Sequence, residues 1–167
     1  IAISCPEIRD NFIQAVNRDT RGQAMCWVSP LGIRALLQDN FNDTERFPVA
    51  LELFNSTLNS PGIIKALIEE GIKFNRAPFH EDNLRLAYES IKDFTPDNKK
   101  EEYEWCLFRA RVSMFLKDPQ SDELCSSSIE RARELATECA WAHSRYVTTT
   151  RADALNAVDA LVDELKL

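Results

Sequence analysis

The sequence predicts an all-α fold: an irregular multi-helix bundle or short helical-hairpin stack of about seven helices, with a long central helix near 96–117. Three observations carry this expectation. Apolar residues recur at three- and four-residue spacing through most of the chain, the period of one helix face. Serine or threonine stands at or just before a proline at 4–6, 29–30, 60–61 and 95–96. A hydroxyl can cap the free amides of a helix start, and proline fits the first turn because its missing N–H is not needed there. Finally, the 167 residues include only 4 glycines, few for a turn-rich all-β architecture.

Taken in order, Ser4-Cys5-Pro6-Glu7 has the form of a capping box. Ile8, Phe12, Ala15 and Val16 then share a face, so a helix is expected to about Asn17. Arg21-Gly22 breaks that pattern. Residues 24–28 read as a short helix or an extended core segment, with helix favoured for want of a strand partner. Ser29-Pro30 starts the next helix, whose core residues are Leu31, Leu36 and Leu37, and residues 39–43 form a loop. Phe47-Pro48 opens a helix through Leu58, with Val49, Leu51, Leu53, Phe54 and Leu58 available for burial.

Ser60-Pro61 starts a helix with Ile63, Ile64, Leu67 and Ile68 on its apolar face. Gly71 is placed to end it in the left-handed conformation, with Ile72 packing back on Leu67. Residues 61–75, PGIIKALIEEGIKFN, resemble the second helix and following turn of an ankyrin repeat, over about 15 of the 33 residues of such a unit. The Thr-Pro-Leu-His turn is missing at the expected offset and no neighbouring unit repeats the pattern, so the family is not assigned. Residues 75–79 connect to a helix from about Asp82 to Asp93, bearing Leu84, Ala87, Tyr88 and Ile91 on one face.

The stretch 95–118, TPDNKKEEYEWCLFRARVSMFLKD, is the hub. Thr95-Pro96 is its start signal and Asp118-Pro119 its stop, since the residue before proline disfavours the helical region. At ~100° per residue, Tyr103, Leu107, Ala110 and Met114 form one stripe. Trp105, Phe108, Val112, Phe115 and Leu116 form another, roughly opposite. A surface helix needs one apolar stripe, and a helix with two is expected to be sandwiched. A second long helix is expected from about Ser121 to Tyr146, with Leu124, Ile129, Ala132, Leu135, Ala136, Cys139, Ala142 and Tyr146 inward. After the break at Thr148-Thr149-Thr150, a last helix carries Ala154, Leu155, Val158, Leu161, Val162 and Leu165. These last two helices should pair antiparallel.

One domain spanning 1–167 is the expectation for this length. The chain begins at Ile1, not Met, which fits a fragment of a longer chain. The formal net charge of −7 disfavours general binding to phosphate backbones, so no nucleic-acid partner is expected. No run approaches the ~20 apolar residues of a membrane span. The five cysteines are scattered over helical patterns. They read as reduced, buried thiols, which points to the cytoplasm or another reducing compartment.

Motifs for chemistry are sparse. Cys139 and His143, four apart, would share a helix face, but a tetrahedral zinc site needs two more ligands nearby. A buried thiol and a packed imidazole are the plainer reading, so no metal or cofactor is expected. Glu69-Glu70, Glu101-Glu102 and Asp163-Glu164 are adjacent pairs that diverge on a helix. Neither a glycine-rich phosphate loop nor a Gly-x-Ser-x-Gly elbow is present, and no catalytic residue is assigned. Arg109 and Arg111 should cover apolar surface with their stems and reach carboxylates with their heads.

Trp141 is the anomaly. On a helix running to Tyr146 it lies on a polar face, among Glu130, Glu134, Thr137, Ser144 and Arg145. It is either covered by another segment or an exposed anchor, and tryptophan is enriched at interface hot spots. The expected function is therefore a protein–protein interaction or scaffold domain binding another protein through Trp141, with Arg145 and Glu134 on the rim. A homo-oligomer is left open. The alternative is a helical enzyme or ligand-binding regulator with a pocket beside Tyr103, Trp105, Phe108 and Phe115. Those aromatic rings can equally fill the core.

Overall fold

The computed structural model describes residues 30–74, 80–116, 119–139, 141 and 150–166. The capping box at Ser4, the helix to Asn17 and the segment 24–28 lie outside the described residues. Seven helices and no strand occur among the described residues. These are α1 (Pro30–Asp39), α2 (Phe47–Thr57), α3 (Pro61–Phe74), α4 (Glu81–Glu89), α5 (Lys99–Leu116), α6 (Ser121–Glu138) and α7 (Arg151–Leu165). The architecture is a multi-helix bundle, as the sequence predicts. No helix among the described residues is long and apolar enough to cross a membrane. The chain divides into two compact units, Ile1–Asp93 and Phe94–Leu167, and each is described by itself.

In the first unit, α1 and α3 begin at the proline of a Ser-Pro pair, as expected. The turn between α1 and α2 is built from side-chain hydrogen bonds. Asn40 Nδ2 donates to the Leu36 carbonyl at 2.8 Å, and Asp43 Oδ1 accepts from the Glu45 and Arg46 amides at 3.0 and 2.9 Å. These bonds hold the Asp43 carboxyl below its ordinary range, chiefly through the Arg46 amide. Such local bonding by Asn and Asp is why they favour turns. Along α2, Phe47, Ala50, Leu51 and Phe54 form the buried stripe, with Leu53 beside it. Val49 and Leu58 are only half-buried.

Two further features of this unit were not expected. Gly71 does not end α3. The helix continues through it to Phe74, because glycine merely weakens a helix interior and Ile64, Leu67 and Ile68 anchor this one in the core. On α4, Asn83 is buried beside the expected Leu84, Ala87 and Tyr88, at 1% exposure. Its Nδ2 donates to the Phe41 carbonyl at 2.7 Å, satisfying a loop carbonyl from 42 positions away. Among the described residues no buried side-chain nitrogen or oxygen lacks a partner.

The second unit is a three-helix assembly whose directions follow from its pairings. Lys99 meets Glu138, Glu102 meets Arg131, and Cys125 Sγ lies 3.7 Å from the Ala110 carbonyl, so α5 and α6 run antiparallel. Tyr103 meets Ala154 and Arg111 meets Glu164, so α7 runs parallel to α5 and antiparallel to α6. Ala110, Ala132, Ala136 and Ala154 are fully or almost fully buried at these contacts, and such small side chains let helices approach closely. Tyr103, Cys106, Leu107, Cys125, Ile129, Leu135, Cys139, Val158, Leu161 and Leu165 complete the cluster. α7 starts with a full capping box, in which Thr150 and Asp153 exchange side-chain-to-backbone bonds.

The hub helix is buried along both predicted stripes. Tyr103, Leu107 and Ala110 lie inside on one, and Trp105, Phe108, Val112 and Leu116 on the other. Two details differ from expectation. Met114 is 47% exposed, although it lies on the first stripe. The helix also starts at Lys99, not after Thr95. Asn98 Oδ1 accepts from the Lys100 and Glu101 amides at 3.1 and 2.9 Å and so caps it. Asn98 stands three residues past the Thr-Pro signal, and a strong cap nearer the apolar run overrides it.

Candidate functional site

The sequence-predicted site lies on the second unit, at the end of α6. That helix stops at Glu138, eight residues before its expected end at Tyr146. Cys139 is extended, with φ −69° and ψ 135°. Neither proline nor glycine explains the stop. The structure shows a competing partner instead: Trp141 turns back, and its indole Nε1 donates to the Ala136 carbonyl at 2.9 Å. That carbonyl is one of those a helix end leaves unsatisfied. The indole ring also meets Tyr103 edge-on, with centroids 5.2 Å apart and planes at 78°. Aromatic pairs of this geometry contribute ~0.5–1.5 kcal/mol beyond area burial. Trp141 therefore sits at the margin of the core, half-buried, and not on the polar face of a continuous helix.

Tyr103, expected on the first stripe of the hub helix or beside a pocket, is buried at this margin. Its hydroxyl donates to the Ala154 carbonyl at 2.8 Å. One side chain thus ties α5 to α7 while its ring supports Trp141. Burial, with a smaller push from the Glu104 charge, raises the Tyr103 phenol to about 12. The bond also explains the buried hydroxyl, since an unpaired one would be costly. Tyr103→Phe is expected to lower stability by about 0.5–1.5 kcal/mol, because it removes a buried hydrogen bond between α5 and α7. Denaturant unfolding measures this. The pH dependence has a definite sign. The phenol is protonated to a higher pH in the folded chain than in the unfolded one, so its contribution is complete below about pH 10. It is then lost as the pH rises toward about 12. Tyr103→Phe should remove that alkaline component.

Charged pairs surround this margin. Arg131 grips Glu102 through Nε and an Nη at 2.8 and 3.3 Å, and holds Glu134 at 2.9 Å. Both carboxylates raise the Arg131 guanidinium above its ordinary value. Lys99 and Glu138 meet at 2.9 Å, which raises the first and lowers the second. These pairs are largely solvated, so each contributes little to stability. Together they clamp α5 against α6. The Glu102–Arg131 link spans 29 positions and has no local signature.

Of the three residues predicted for the site, Trp141 is half-buried against Tyr103, and Glu134 is exposed and paired to Arg131. Arg145 lies outside the described residues, as does His143. Cys139 follows the helix end, and its expected pairing with His143 lies outside the described residues. Among the described residues no three His, Cys, Asp or Glu side chains gather as a metal cage would need. Arg111 reaches the Glu164 carboxylate at 3.6 Å, as expected. Arg109 lies over the Trp105 ring at 5.8 Å and donates to the Phe94 carbonyl at 2.9 Å. Trp105 also packs on Phe94 and Phe108, at 4.7 and 5.4 Å between centroids.

Among the described residues the resolved pKa shifts lower carboxylates and raise lysines, Arg131, Tyr103 and the Cys106 thiol. This margin offers aromatic contact area beside a pattern of paired charges. Set against known proteins, the chain matches no family, no curated protein and no solved structure.

Proposed function

We propose that the chain is a protein–protein interaction module, and that the second unit docks a partner protein through Trp141, with Glu134 and Arg145 on the rim. The observation that supports this reading is the state of Trp141. It is only partly buried, yet its N–H is already bonded to Ala136 and its ring is seated on Tyr103. A partner covering it would desolvate no unpaired donor and would order no mobile ring. Low ordering cost is what lets contact area become affinity. An aromatic anchor inside a polar, charged rim is also the usual anatomy of an interface hot spot.

The test is affinity capture from the native host with the parent chain, Trp141→Ala and Glu134→Arg, followed by mass spectrometry and titration of the captured protein. Trp141→Ala is expected to weaken binding about thirtyfold or more, the hot-spot range. Glu134→Arg should reduce it less, through the rim. Circular dichroism and thermal unfolding establish that each variant is folded. A partner that binds folded Trp141→Ala as tightly as the parent overturns the proposal.

A further inference from the structure

We draw no further inference here: the strongest candidate, the exposed apolar surface that Met114 presents at the C-terminal end of α5, carries none, because nothing in the structure shows what covers it.

Discussion

Phe108→Ala is expected to lower the unfolding free energy by about 3–5 kcal/mol, the range for deleting a buried phenylalanine side chain. Phe108 is 0% exposed, at the centre of the second stripe of α5. It packs edge-on against Trp105 at 84°. The alanine variant loses the apolar transfer term, that aromatic contact and the packing on whatever surface remains around the void. Urea or guanidinium unfolding followed by circular dichroism measures the loss. Met114→Ala on the same helix is the control. Its side chain is 47% exposed, and its loss should stay within about 0.5 kcal/mol. A Phe108→Ala loss under about 1 kcal/mol would mean that the second stripe faces solvent, and would move the partner surface onto α5 itself.

Phe54→Ala is the corresponding expectation for the first unit, again about 3–5 kcal/mol. Phe54 is fully buried on α2, one of a stripe with Phe47, Ala50 and Leu51. The spacing is i, i+3, i+4 and i+7, one face of a helix. Val49 looks equally apolar in the sequence, but it lies off that face and is only half-buried. Val49→Ala should therefore cost less than half as much as Phe54→Ala. The pair of variants, compared by denaturant midpoint at equal m-value, reads out which face of α2 is inward. Equal losses would mean that α2 is rotated from this position.

The helices were legible because their signals are local. The apolar faces of α3, α4 and α7 could be drawn residue by residue from the 3.6-residue period. So could the two-sided burial of α5, for its charged residues interrupt the apolar positions on both flanks. The same reasoning found Trp141 as an anomaly, since a tryptophan among charged helical neighbours breaks the pattern. It misplaced the surroundings of Trp141 because it assumed that the helix continued. No local residue breaks α6 after Glu138. The stop coincides with an indole N–H taking the Ala136 carbonyl and a ring finding Tyr103, a partner 38 positions earlier in the chain.

The boundaries of α3 and α5 show the same division. Gly71 and Thr95-Pro96 are sound signals taken alone. Gly71 is overridden by the buried residues that hold α3 in the core, and Thr95 by Asn98, which caps nearer the first buried turn. By itself the sequence determined that the chain is all-helical, where most helices lie and which faces they bury, because periodicity and helix starts are properties of neighbouring residues. Tertiary structure alone decided where α6 ends, why Asn83 and Tyr103 can be buried, and which charges clamp α5 to α6. Each of these rests on a donor meeting an acceptor, or a ring meeting a ring, between segments far apart in the chain. Trp141 stands between the two: its oddity is written in the sequence, and its fixed, half-covered position comes from Tyr103 and Ala136.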